Sequence, residues 1–134
     1  MTRSRRNLLA AAKKAASRAH APYSRFPVGA ALEADDGRIF TGCNVENASY
    51  GLTVCAERVA VFNAVQAGCR AFRRIAIVAG AGPNPAPPCG ACRQVLAEFA
   101  GPSFEIVIAS IDGLEKAETY TLADLLPHPF SLKP

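Results

Sequence analysis

Three cysteines and one glutamate, set in two short stretches, are the residues of this chain whose types and spacing could do chemistry. TVCAER, residues 53–58, holds Cys55 and Glu57, and PCGACRQ, residues 88–94, holds Cys89 and Cys92. Zinc takes four ligands: a structural site draws all of them from the protein, whereas a catalytic site draws three and leaves one position for water. Three thiols therefore read as an open zinc site with one ion per chain, and Glu57, two residues from Cys55, is the proton carrier such a water needs. The CxxC spacing of Cys89 and Cys92 suits a metal or a redox pair. The third cysteine, and the lack of a thioredoxin-like strand before the motif, weigh against redox. Three thiolates on a divalent cation leave a surplus negative charge that blunts its power to acidify water. Arg58, beside Glu57, and Arg93, beside Cys92, are the candidates to offset it from outside the ligand shell; for each, an ordinary surface or carboxylate-pairing role stays open.

The elements that must position these residues are legible from periodicity. Leu8, Leu9, Ala12, Ala16 and Ala19 recur at helical steps, giving a helix over residues 4–20 ended by Pro22. Val28, Ala30 and Leu32 alternate as a strand, and the turn ADDGR leads to a second strand over 38–43, so Asp35 and Asp36 read as hairpin turn residues rather than a metal or acid/base pair. CNVENASYGL, residues 43–52, is a polar loop. Thr53 then looks like the N-cap of a helix that places Cys55 in its first turn, buries Val54, Val61, Phe62 and Val65, and stops at Gly68. Residues 75–79 are a continuous apolar run, expected as a central strand covered on both faces. GAGPNPAPP, residues 80–88, is loop; its prolines and the lack of Gly-Lys-Ser/Thr weaken a phosphate-cradle reading. A second helix runs from about Cys89 to Ala100 with Cys92, Val95, Leu96 and Phe99 inward, followed by strands over 104–110 and 116–121, a short helix over 122–126 and a surface tail, HPFSLKP. This order predicts one domain over residues 1–134, an α/β three-layer αβα sandwich around a mixed five-stranded sheet. Both longer helices after the hairpin begin at the ligand cysteines, where the partial positive charge of a helix N-terminus stabilises thiolates.

Composition narrows the class. At 134 residues, 50% hydrophobic and 19% charged, the chain can bury about two-thirds of its unfolded surface. Five cysteines, three of them in metal-ligand spacing, argue against a disulfide framework and for a reducing compartment, the cytoplasm. Cys43 and Cys69 read as buried free thiols, and His20 and His128 as isolated residues. Residues 1–32 carry seven Lys or Arg and no carboxylate, leaving eight Lys or Arg against eleven carboxylates in the rest. A transit peptide or a nucleic-acid arm is weighed against a solvated helix face, and the apolar rows in the segment favour the helix face. No stretch approaches membrane-spanning length.

The chain resembles the short, homotetrameric, zinc-dependent cytidine deaminases. FPVGAAL (26–32), NVENASYG (44–51), CAER (55–58), PCGACRQ (88–94) and LLPHPF (125–130) carry the resemblance, which spans nearly the whole chain. It implies hydrolytic deamination of cytidine and 2′-deoxycytidine to uridine and 2′-deoxyuridine plus ammonia, a step of pyrimidine salvage. Cys55, Cys89 and Cys92 would hold Zn²⁺, zinc-bound hydroxide would attack C4, and Glu57 would shuttle the proton. Arg58 would attenuate the thiolate charge. The resemblance assigns Asn44 and Glu46 to the sugar hydroxyls, Phe26 and the Ala56 backbone amide to the ligand, and Phe130 to stacking on the base from a neighbouring subunit. A homotetramer with active sites at subunit interfaces follows, with no nucleic-acid or membrane partner.

Three rivals stand beside this reading. An aminohydrolase of the same fold could act on a modified nucleoside or a cytosine-containing antibiotic, though NVEN favours plain ribose. A polynucleotide-editing deaminase is disfavoured by the absence of Trp and by 7% aromatic content. A zinc-stabilised binding module would need a fourth ligand from Cys43, Cys69 or a histidine, leaving Glu57 an ordinary helix carboxylate.

Overall fold

Strands apolar on both sides need cover on both sides, and three helices provide it. The computed structural model describes residues 1–132; the end of the HPFSLKP tail, residues 133 and 134, lies outside them. The elements are α1 (Arg3–Ala16), β1 (Val28–Ala34), β2 (Ile39–Cys43), α2 (Ala56–Gln66), β3 (Phe72–Ala79), α3 (Gly90–Phe99), β4 (Glu105–Ala109), β5 (Glu118–Thr121) and α4 (Leu122–Leu125), with short 3-10 turns at Tyr50–Leu52 and Leu114–Lys116. The sheet order is β2-β1-β3-β4-β5. β3 and β4 pair in parallel and the other neighbours antiparallel, which makes the sheet mixed, with β3 at its centre as expected.

One face packs Ala31, Ala76, Val78 and Val107 under Leu8, Leu9 and Ala12 of α1. The other packs Leu32, Ile75, Ile77, Ile106 and Ile108 under Ala60, Val61 and Ala64 of α2 and Leu96 of α3. This is the three-layer arrangement. Each large aliphatic side chain fully buried there contributes roughly 1.5–3 kcal/mol. Because α1 covers one side of β1 and α2 the other, Gly29 through Leu32 are all buried, and the alternation expected of β1 is lost to two-sided burial.

β3 starts at Phe72, not residue 75, because its pairing with β1 continues as far as Ala34 opposite Phe72, and other departures from the sequence reading also have local reasons. α1 ends at Ala16, not residue 20: the Ser17 hydroxyl donates to Lys14 O at 2.6 Å. His20 then leaves the helix to pair its backbone with Asn44 and Glu46. The N-cap of α2 is Cys55, not Thr53. Val54 is still extended, bridged to Val45, and the Thr53 hydroxyl accepts the Asn47 amide instead. Phe62, expected inside, is 52% exposed, because the inward stripe of α2 runs through Ala56, Glu57, Ala60, Val61 and Ala64.

The small residues of that stripe let α2 lie close to β2. A Cβ on Gly42 would come within 2.5 Å of both Ala56 O and Ala60 N, so only glycine lets the helix that begins at Cys55 settle at this depth. At the far end of the sheet, α1 is fastened to β4 by a two-pronged ion pair: Arg5 Nε and Nη2 donate to Glu105 Oε1 and Oε2 at 2.7 and 2.6 Å.

That ion pair holds the Glu105 carboxyl below its ordinary value near 4.5, the hydrogen bond from Arg5 being the main cause. A lowered folded value means stabilisation that is complete above the unfolded value and is lost as pH falls through the folded one. Glu105→Gln should therefore melt a few degrees below the parent at neutral pH. The gap should close as pH drops below the ordinary carboxylate range, followed by circular dichroism; a gap independent of pH would assign the loss to packing instead.

Candidate active site

Two loops that leave the sheet carry the chemistry into the starts of two helices. β2 leads through the 44–54 loop to Cys55, the N-cap of α2, and β3 leads through residues 80–88 to Cys89, the N-cap of α3. Neither cysteine side chain caps its own helix by a hydrogen bond, so both sulfurs are free to point elsewhere. Cys92 lies one turn into α3 and is buried. The three Sγ atoms lie within 4.8 Å of one another, with Cys89 at 4.0 Å from Cys55 and 3.5 Å from Cys92.

Charge on this cluster is unevenly shared. The Cys55 thiol is drawn down to about 5, first by the hydrogen bond from Cys92, with the Arg58 guanidinium adding to it. The same bond, together with burial, pushes the Cys92 thiol up. A divalent cation binds thiols as thiolates, so holding one here would release any proton the group still carries. Arg58 Nη2 donates to Cys55 Sγ at 3.4 Å, while its buried Nε has no partner in the described residues. Arg93 is turned away from the sulfurs, and its Nε and Nη1 donate to Pro88 O and Leu125 O, both at 2.7 Å. Of the two arginines considered from sequence, only Arg58 reaches a sulfur.

The donor set fits zinc. Three soft sulfur donors at this spacing are the ligands zinc takes in thiol-rich sites. Among the described residues no fourth His, Cys, Asp or Glu joins the group, so an ion held here would keep a free position. Cys69, one of the spare thiols considered as a fourth ligand, is buried elsewhere, accepting from Arg38 Nη2 at 2.8 Å. Cys43 is half-buried against Arg18 O.

Beside the thiols is a cavity of about 160 Å³ walled by Phe26, Asn44, Cys55, Glu57, Ala79 and Pro87, among others. Glu57 is 5% exposed, and burial raises its carboxyl above the ordinary value near 4.5. Ala56 lies at the floor with no water-accessible surface. Phe26 forms one wall, seated on backbone: a Cβ on Gly80, whose φ is 67°, would meet the Phe26 ring at 2.8 Å. Asn44, 7% exposed, braces that wall by accepting the Val28 amide at 2.8 Å and donating to Phe26 O at 3.0 Å.

Glu46 is not in this cavity. It lines an adjoining open one of about 370 Å³ with Tyr23, Ser24, Tyr50 and Thr53, and Thr53 belongs to both. Phe130 is 72% exposed and lines neither; its carbonyl accepts from Gln94 Nε2 at 2.8 Å. The sequence reading missed Thr53 as a shared wall, Gly80 as the seat of Phe26, and Tyr23 and Ser24 as partners of Glu46. A glycine directly after an apolar strand was the one available signal.

The model of the cytidine and deoxycytidylate deaminase zinc-binding region matches residues 2–108. The chain belongs to this deaminase family. It is 51% identical over 124 residues to the cytidine deaminase of Sporosarcina psychrophila, covering 92% of this chain and 89% of that one. It is 47% identical over 121 residues to the cytidine deaminase of Mycobacterium tuberculosis, covering 90% and 85%. The crystal structure of cytidine deaminase from Burkholderia pseudomallei superposes with a TM-score of 0.87 at 49% identity, over 97% of this chain and all of that one.

Among the described residues, Arg58 is the one guanidinium that donates to the thiol cluster. Arg58→Ala should weaken zinc retention about ten-fold, the scale of losing a group that orients or neutralises metal ligands. Competition with a chromogenic chelator would measure it, and unchanged retention would make Arg58 a bystander.

Proposed function

We propose that this chain is a zinc-dependent nucleoside aminohydrolase that converts cytidine and 2′-deoxycytidine to uridine and 2′-deoxyuridine plus ammonia, as a single domain acting in the cytoplasm. The observation that carries this reading is a nearly water-free carboxyl, Glu57, walling the same cavity as Cys55, one of a three-thiol group with no fourth protein ligand among the described residues.

Cys55, Cys89 and Cys92 would hold the zinc ion, which when bound supplies a Lewis acid and lowers the pKa of water at the reacting carbon, C4. Glu57 does the proton work. Its burial keeps the carboxyl protonated to higher pH than usual, so it can give a proton to ring N3, take one from the attacking water, and pass it to the departing amine. The Ala56 amide, the first of α2, has no acceptor within its own helix and is the donor for the base carbonyl once a base presses against the floor. Phe26 packs along the base. Asn44 has one amide hydrogen and one lone pair left after bracing the Phe26 wall, enough for a sugar hydroxyl.

Nucleosides rather than 5′-nucleotides are favoured. Among the described residues no Lys or Arg lines either cavity, and Glu46 and Glu57 both do; a phosphate would meet negative charge with nothing to pair it. Its exposure supports the reading of Phe130 as a residue that enters the site of another copy in a homotetramer: it is 72% exposed beyond the end of α4, with its backbone carbonyl held by Gln94. Deleting residues 130–134 should then lower activity at least ten-fold and shift the sedimentation coefficient; an unchanged tetramer with full activity would remove the tail from the site.

The decisive experiment follows the loss of the cytidine ultraviolet band with zinc measured on each protein. Glu57→Ala should hold as much zinc as the parent, still bind ligand, and turn over slower by a factor on the order of 10²–10⁴, the usual worth of a positioned acid/base group. Fast turnover by the zinc-loaded variant would take Glu57 out of the mechanism.

A further inference from the structure

Glu46 is held more tightly than a carboxylate at a cavity mouth needs to be. Its Oε1 accepts the Tyr23 and Ser24 backbone amides, each at 3.1 Å, and its Oε2 accepts the Ser24 hydroxyl. Ser24 Oγ in turn accepts the Phe26 amide at 3.0 Å. The turn so gathered includes Arg25 at φ 55°, a left-handed conformation that a residue with a Cβ seldom takes unless its surroundings impose it. Here the flanking residues are tied by three bonds to one carboxylate, and the Arg25 amide donates to Ala21 O at 3.0 Å.

An ionised carboxylate offers about four lone-pair sites, two on each oxygen. Both sites on Oε1 are used by backbone amides and one on Oε2 by the Ser24 hydroxyl, which leaves one acceptor position, on Oε2. The direction of that position depends on where the hydroxyl sits. Ribose and 2′-deoxyribose share one hydroxyl directly on the ring, at C3′, so a single remaining lone pair matches what the two substrates have in common. No cation among the described lining residues competes for it.

We propose that Ser24 is a positioning residue for sugar recognition: its hydroxyl occupies one lone pair of Glu46 Oε2 and aims the other at the substrate 3′-hydroxyl. The proposal rests on the reading that Glu46 meets the sugar. It differs from a merely structural role for Ser24, which would act through the Phe26 amide and so affect every substrate that carries the base.

The test compares 2′-deoxycytidine with 2′,3′-dideoxycytidine, which differ only by the 3′-hydroxyl, on the zinc-loaded full chain. Ser24→Ala should cut kcat/KM for 2′-deoxycytidine about ten-fold, the worth of a hydrogen bond to a charged group, mostly through KM. The dideoxy substrate should lose several-fold less. Ser24→Thr, which keeps the hydroxyl at an exposed position, should restore the difference. On a Glu46→Ala background, Ser24→Ala should add no further selective loss. Equal losses on both substrates, or none, overturn the proposal. If Glu46→Ala itself fails to distinguish the two substrates, the sugar reading of Glu46 falls and takes the proposal with it; if Glu46→Ala distinguishes them and Ser24→Ala does not, only the role of Ser24 falls.

Discussion

Three sulfur atoms within 4.8 Å of one another cannot all be thiolates unless positive charge is close at hand. Two unit charges 4 Å apart repel by about 4 kcal/mol at an effective dielectric of 20, and there are three such pairs. The fold answers with the N-termini of α2 and α3, each worth about half a positive charge, with Arg58, and with the cation the sulfurs are built to hold. Much else follows from this requirement. α2 and α3 must start at one place, so they pack side by side on one face of the sheet and leave the other face to α1. The two loops that reach those starts leave β2 and β3, and the cavity opens between them.

α3 serves two ends of the site at once. Its first turn contributes Cys92, while Arg93 on the next position ties Pro88 O, beside the ligand Cys89, to Leu125 O at the end of α4. Gln94 then holds Phe130 O. Successive residues of one helix thus bind the metal loop, the last helix and the tail. The position of the tail relative to the thiols is fixed within the chain, before any second copy is considered.

What the sequence made legible was what depends on near neighbours. Cys55, Glu57, Cys89 and Cys92 are close in sequence within each pair, and the helices that start at them announce themselves by period and by Gly stops. The order of elements and the hairpin turn at Asp35 and Asp36 were readable for the same reason. Misjudged residues had their role set by distant partners. Thr53 has the chemistry of an N-cap, but Val45 holds Val54 extended and moves the cap to Cys55. Phe62 is apolar on a helix, yet the close approach at Gly42 selects a stripe of small residues for the inside. Arg93 sits next to a ligand cysteine and turns away to carbonyls 5 and 32 residues distant. The division of Asn44 and Glu46 between two cavities has no trace in the motif they share.

The seat beneath Phe26 is made of main chain. With Gly80 at φ 67° and no room for a Cβ, a side chain at residue 80 cannot be used to deepen or flatten the pocket on that side. Widening the cavity on this side leaves two routes, replacing Phe26 itself or lengthening the proline-rich loop over 81–88. The first removes a wall that Asn44 braces, and the second shifts the approach to Cys89. Either route therefore disturbs another part of the site along with the wall.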